Sequence, residues 1–263
     1  MPFPDVKRII YKKNPLQQVI CQLRFPPILK IDSEIPSQFQ EFIRADFPNF
    51  KENIEPMGKP IPEEIMNFAP HMFSSILKTN KNYEFSSKNH EWQVNLTRVF
   101  VALTTTKYER WEIFRKKLEL VVDSIQEIYS PSFFTRIGLR YIDVIERSQL
   151  GLKNERWDDL INPLLLGGLN SEDIKNDIIN YESKYNIRLS DNESNVTIQI
   201  RVLENPTEEQ SFVIDSDFCI SKEIDSKREI LFDKLDYFHK QASYLIQWCI
   251  KEKLHKAMEP LEL

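Results

Sequence analysis

Glycine is scarce in this chain, with 5 glycines among 263 residues. Folds that cradle nucleotide phosphates in glycine-rich loops need several closely spaced glycines. The only adjacent pair is Gly167-Gly168, and neither G-x-G-x-x-G nor G-K-[ST] occurs. The sequence therefore argues against the P-loop and dinucleotide-binding classes.

Cysteine and histidine are also few, and neither forms a known metal or nucleophile motif. Cys21, Cys219 and Cys249 are widely separated in apolar contexts, and we expect buried free thiols. The four histidines lack H-E-x-x-H spacing, and His239 beside Phe238 is typical of a packed histidine. No G-x-S-x-G elbow is present. We expect no cofactor and no catalytic residues, which favours a protein that is not an enzyme.

The chain has no apolar run of transmembrane length, and its start, M-P-F-P-D-V-K, lacks the apolar core of a signal peptide. We therefore expect a cytoplasmic protein without membrane association. The net charge of −5 argues against a wholly basic surface that coats nucleic acid, but it leaves a local basic groove open. The oligomeric state is left open.

Residues 14–31 are the clearest single strand signal. Val19, Cys21, Leu23 and Phe25 alternate with polar or mixed residues, and Pro26-Pro27 ends the pattern because proline cannot donate a ladder hydrogen bond. An early strand bounded by proline on both sides is typical of a strand that organises a sheet. We predict that its apolar side faces the core.

The rest of the chain alternates strand runs with two long amphipathic helices. Strands are predicted over 73–78, 83–87, 91–97, 99–105, 133–146, 183–190, 195–204 and 210–220. Helices are predicted over 33–47, 109–129 and 228–258, with a polar turn at 79–82, an irregular connector over 49–62 and short helices over 148–180. The pattern predicts an α+β fold in which two pseudo-repeated units, each an antiparallel β-meander plus a long helix, share a sheet with the helices packed on one face. The units are 1–148 and 149–263 within one compact domain.

The order of several short motifs resembles a sporadically distributed bacterial family of uncharacterised proteins of about 260 residues. The matching residues are Tyr11-x-x-Asn14-Pro15-Leu16, Gln22-Leu23-Arg24-Phe25-Pro26-Pro27-Ile28, Arg136-Ile137-Gly138-Leu139-Arg140-Tyr141-Ile142, Asp215-x-Asp217, His239 and Met258-Glu259-Pro260. The chain departs from the pattern at Asp143, where the family has Asn. The resemblance implies no established activity. The family's scattered occurrence implies a place in mobile, antiviral-defence or toxin–antitoxin-type loci.

Strand alternation also groups polar residues from four predicted strands. If these strands share a sheet, their polar sides form one arginine-bearing face, and Gly138 leaves room there for a ligand or another backbone. A guanidinium offers a planar fork to phosphate or carboxylate. The predicted ligand-binding residues are Gln22, Arg24, Gln93, Asn95, Arg136, Arg140, Gln199 and Arg201, with Thr97 and Thr197 in the same phase.

The leading functional hypothesis is a non-enzymatic binding protein that recognises a partner protein or an anionic ligand through this face. An alternative is a metal-dependent nuclease or phosphoesterase, because Asp215 and Asp217 lie two apart on a strand and point to one side. A third hypothesis is an RNA-binding protein that uses arginines and strand aromatics.

Overall fold

A large antiparallel sheet dominates the computed structural model, which describes residues 3–56, 79–175, 177–204 and 209–262. Nine strands form it in the order β3-β4-β5-β6-β2-β8-β11-β10-β9, and every pairing is antiparallel. Their bounds are β2 Leu16–Arg24, β3 Asn49–Pro56, β4 Thr79–Ser86, β5 Trp92–Thr97, β6 Phe100–Thr105, β8 Arg136–Glu146, β9 Tyr181–Arg188, β10 Asn195–Glu204 and β11 Gln210–Ile220. The predicted α+β class with an antiparallel sheet is confirmed.

Four short strands form two separate pairs. The strand β1, Ile9–Tyr11, pairs with β13, Pro260–Glu262, and β7, Phe133–Phe134, pairs with β12, Ile224–Asp225. The first pair joins the two ends of the described chain, with Ile9 opposite Glu262.

Six α-helices accompany the strands in the described part of the chain. They are α1 Leu29–Ser33, α2 Ser37–Ile43, α3 Trp111–Tyr129, α4 Trp157–Leu160, α5 Arg228–Cys249 and α6 Glu252–Ala257. No helix among the described residues is both long enough and apolar enough to cross a membrane.

Both long helices cover the same face of the sheet. The ring of Phe114 on α3 lies 5.8 Å from that of Trp92 on β5, and the ring of Phe238 on α5 lies 6.5 Å from that of Phe218 on β11. Strand periodicity explains this face, because alternate residues of each strand point to one side. On β8 these residues include Ile137, Leu139 and Ile145, and each is fully buried.

The first predicted strand is central, as its pattern indicates. It lies between β6 and β8, and Val19, Cys21 and Leu23 are buried beneath the helices. The sheet continues without a break from β2 into β8 and β11, so strands from both predicted halves share it. All three cysteines are buried and free, as predicted.

Two polar segments are strands rather than the predicted connector and turn. Residues 49–56 form β3, and residues 79–82 open β4, to which β3 pairs along its length. These edge strands carry many charged and amide side chains, because an edge strand is largely solvated and needs little apolar sequence. The predicted strand over 73–78 lies outside the described residues.

Two predicted helices are each broken into two. The region predicted as one helix over 33–47 contains the end of α1 and the whole of α2. Ile35 and Phe42 are exposed there, whereas Phe39 and Phe47 are buried. The C-terminal helix ends at Cys249, because Ile250 adopts an extended backbone and makes an isolated β-bridge to Ile161. The helix then resumes as α6.

Candidate functional site

The register places every predicted ligand-binding residue on the sheet face opposite the long helices, which we call the polar face. Gln22 lies opposite Gly138, Arg24 opposite Arg136, and Gln199 opposite Asp215. Gln93 and Asn95 on β5 join the same face through their partners Thr104 and Ala102 on β6. Their role in binding stays a prediction.

Arg136 forms an ion pair with Asp217 and lies across Gly138. Its Nη2 donates to Oδ1 and Oδ2 of Asp217 at 2.8 and 2.7 Å. A Cβ built on Gly138 would lie 2.8 Å from Cζ of Arg136, which is closer than side chains pack. The space over Gly138 is therefore filled by this guanidinium, and the expectation that Gly138 leaves room for a ligand or another backbone is wrong.

Arg140 and Arg201 share the carboxylate of Asp215. Arg140 binds it through two bonds, Nε to Oδ1 at 2.7 Å and Nη2 to Oδ2 at 2.5 Å, and Nη2 of Arg201 lies 3.4 Å from Oδ2. The Asp215 side chain is only 2% exposed, whereas Arg140 is 40% exposed. The hydrogen bonds with Asp215 raise the pKa of Arg140 further above its ordinary value. This triad carries a net charge of +1.

The arginine cluster of the polar face consists of Arg24, Arg136, Arg140 and Arg201. Arg24 is the member without a carboxylate partner among the described residues. Its Nε donates to Oε1 of Gln22 at 2.9 Å, and Arg136 approaches the same oxygen at 3.4 Å. Arg24 is exposed and has no carboxylate partner among the described residues. Its two Nη groups are thus free to bind an anion. Sequence reasoning found Arg24, but it did not predict that Arg136 and Arg140 would be paired with acids.

The β5 amides lie apart from the arginine cluster. Gln93 donates to Asn95 at 2.8 Å, and Asn95 donates to Asn82 at 3.0 Å, so they form a ladder toward the sheet edge. The intervening strand β6 presents Phe100, Ala102 and Thr104 to the polar face. The structure therefore does not bring Gln93 and Asn95 into contact with the arginines.

The polar face is positive although the chain is acidic. On strands β2, β8, β11, β10 and β9 six basic side chains of this face stand against four acidic ones, a net charge of +2, whereas the whole chain has −5. The basic residues are Arg24, Arg136, Arg140, Lys184, Arg188 and Arg201, and the acidic ones are Glu146, Glu182, Asp215 and Asp217.

The alternative hypothesis assigns Asp215 and Asp217 as metal ligands. In the structure each forms an ion pair with an arginine, Asp215 with Arg140 and Asp217 with Arg136. A carboxylate already bound by arginine competes poorly for a divalent cation. Within the described ranges no group of three or more histidine, cysteine, aspartate or glutamate side chains is arranged to hold a metal ion.

A second candidate site, which sequence reasoning missed, lies on the helix-covered face. A cavity of about 100 Å³, partly open to solvent, is enclosed by the segment 8–16, the start of α3, strands β8 and β11, and α5. Asp143 lines it, 7% exposed, and its carboxylate has no hydrogen bond or ion pair within the described part of the chain. Burial raises the pKa of Asp143 to about 7.

Aromatic side chains surround this carboxylate. The cavity is lined by Tyr11, Tyr108, Trp111, Tyr141 and His239. The His239 imidazole stacks on Trp111 with ring centres 4.8 Å apart, and its Nδ1 lies 3.1 Å from the Tyr141 hydroxyl. Burial lowers the pKa of His239 to about 4. His239 is packed, as predicted. Because its pKa is low, it lines the cavity as a neutral ring at neutral pH.

A further buried polar atom, Nε2 of His239, has no hydrogen-bond partner at this site among the described residues. At the rim, Arg8 is bound by Glu112 through bonds of 2.7 and 3.1 Å, and these bonds lower the pKa of Glu112 to about 2. The rim pair is thus neutral overall.

The comparisons with known proteins add no assignment. No protein-family model matches this chain, and no curated protein sequence matches it.

Proposed function

We propose that this chain is a binding protein, not an enzyme, and that its polar face recognises an acidic segment of a partner protein. The observation that carries the proposal is Arg24, an exposed guanidinium with free Nη groups beside a cluster whose arginines outnumber its acids. A guanidinium with free donors binds carboxylates in a planar, directional way.

The breadth of the polar face favours a macromolecular partner over a small anion. The predicted residues extend over six neighbouring strands, from β5 to β10, a width of roughly 24 Å at the usual strand spacing. Phe100 is the only aromatic side chain on this face of the described strands, so base stacking, on which single-stranded RNA binding depends, has little support there.

A direct binding measurement tests this proposal. The probes are an oligoglutamate peptide and an oligouridylate RNA, each titrated at several salt concentrations. We expect wild type to bind the peptide, with affinity falling as salt rises. Arg24→Glu should weaken that binding by about tenfold or more, because it places like charge against the acidic segment.

The matched control is Arg44→Glu, which reverses a charge directly after the C-terminus of α2, away from the polar face. It should bind the peptide as wild type does. Equal binding by Arg24→Glu and wild type, or a preference for oligouridylate, would contradict the proposal. A pull-down from native cells with the same three proteins then identifies the partner that only Arg24→Glu loses.

We also propose that the chain contains two structural repeats, the second of which begins with β8. In each, a central strand pairs with the last strand of its own meander, β2 with β6 and β8 with β11, and a long helix follows. This equivalent order supports the proposal. The resemblance described above favours a defence or toxin–antitoxin-type role, which stays a prediction.

A further inference from the structure

The Asp143 cavity contains a buried carboxylate that has neither a hydrogen bond nor a counter-ion among the described residues. A buried carboxylate without hydrogen bonds or a counter-ion is costly, so proteins nearly always pair or coordinate such groups. Asp143 is more than nine-tenths buried and has no such partner among the described residues. Because it borders open cavity volume, a partner can be supplied from outside the chain.

The surroundings of Asp143 define the chemistry of that partner. The lining is mainly aromatic and aliphatic, and tyrosine and tryptophan rings attract cations through their faces. Besides Asp143, the lining includes the charged residues Arg8, Glu109 and Arg110. Glu112 neutralises Arg8, and Glu109 and Arg110 offset each other in formal charge, which leaves Asp143 as the uncompensated charge.

We propose that this cavity binds a small organic ammonium ion, with Asp143 as its counter-ion and the aromatic rings of Tyr11, Trp111 and Tyr141 around its alkyl part. Nε2 of His239, which lacks an internal partner among the described residues, is an acceptor for a further N–H group. Nε2 can accept because the buried imidazole stays neutral above pH 4.

The enclosed volume of the cavity accommodates a short alkylamine. A volume of about 100 Å³ is below the ~150 Å³ of an engineered cavity that holds benzene, so a ligand of about five non-hydrogen atoms fits. Because the cavity is partly open, the chain of a longer amine would extend into solvent. The strand β1 and the residues up to Leu16 form the roof of the cavity.

The inference is independent of the polar face and has its own test. The probes are n-butylammonium, the neutral isostere 1-butanol and the anion propionate, each titrated into the whole protein by calorimetry and amide NMR at pH 8. We expect n-butylammonium to bind at least about tenfold more tightly than 1-butanol, because a charged hydrogen bond is worth more than a neutral one. Propionate should not bind.

Binding of n-butylammonium should weaken as the pH falls below about 7, where Asp143 takes up a proton. Asp143→Asn should bind it at least about tenfold more weakly than wild type, because the amide keeps the shape and removes the charge. The matched control, Asp233→Asn, changes an exposed carboxylate on α5 and should bind as wild type does.

Four outcomes would overturn the inference. They are no binding of n-butylammonium to wild type at pH 8, equal binding of 1-butanol, undiminished binding to Asp143→Asn, and binding that strengthens as the pH falls. The wild-type titrations decide the question even if Asp143→Asn fails to fold, since they compare three ligands and several pH values on one protein.

Discussion

Arg140 on β8 donates two hydrogen bonds to the carboxylate of Asp215 on the neighbouring strand β11, from Nε to Oδ1 at 2.7 Å and from Nη2 to Oδ2 at 2.5 Å. The Asp215 side chain is almost completely buried. Arg140→Met leaves this buried carboxylate with only the longer contact to Arg201, at 3.4 Å. Because Arg201 still compensates part of the charge and the Arg140 side chain is 40% exposed, we expect the free energy of unfolding to fall by about 1 to 2 kcal/mol, less than for a fully buried pair. The measurement is urea unfolding followed by circular dichroism.

The double variant Arg140→Met with Asp215→Met removes both charges and should recover most of that loss. An additive penalty in the double variant would show that the two side chains act independently and would contradict the ion-pair account.

Gly138 and Arg136 should be energetically coupled. In Gly138→Ala the added Cβ displaces the Arg136 guanidinium from Asp217, and we expect a loss of about 1 kcal/mol in the free energy of unfolding. In an Arg136→Ala background the same change should cost nothing, because no guanidinium remains to be displaced. A double-mutant cycle in urea measures the coupling. The prediction is wrong if Gly138→Ala costs the same in both backgrounds.

Asp143 should make the protein less stable as the pH rises from about 4 to about 7. Its folded-state pKa of about 7 lies above the unfolded value of about 3.9, so the folded state holds the extra proton between these values. Stability relative to Asp143→Asn is thus greatest at low pH and is lost as the pH rises toward 7.

At pH 8 we expect Asp143→Asn to be more stable than wild type by a few kcal/mol, with the difference disappearing near pH 4. Thermal unfolding of both proteins at a series of pH values measures it, with Asp233→Asn as the control that should follow wild type. A constant difference across this range would exclude a raised pKa for Asp143.

His239 should remain neutral well below the usual histidine range. Its folded-state pKa of about 4 lies below the unfolded value of about 6.5, so the stability from burying the neutral ring is complete above pH 6.5 and is lost as the pH falls toward 4. Nitrogen-15 NMR of the imidazole should report a neutral ring at pH 5.5. A charged imidazole at pH 5.5 would contradict this prediction.

Strand periodicity predicted the sheet and its two faces because alternation depends only on the sequence. Gln22 and Arg24 on one strand, and Arg136 and Arg140 on another, have the right phase and do share a face. Which acid each arginine meets depends on register between strands about 75 or more residues apart, and no local pattern specifies that register.

The sequence contains a signal that marks Asp143 as a candidate site residue, although the sequence-based prediction did not include it. It lies in phase with Tyr141 and Ile145 on the inward side of β8, where an acidic residue is out of place. The cavity beside it arises from the path of residues 8–16, and local sequence does not determine where such a segment packs. The break in the predicted C-terminal helix has the same cause, because the β-bridge between Ile250 and Ile161 is a long-range contact.

The pairing of β1 with β13 has a consequence for biosynthesis. Residues that roof the Asp143 cavity are synthesised before the strand that holds them in place, which lies more than 240 residues further along the chain. The sheet can assemble while this roof is still unattached. The β1–β13 pairing therefore forms only after Pro260–Glu262 has been synthesised, so the Asp143 cavity is among the last parts of the described fold to be completed.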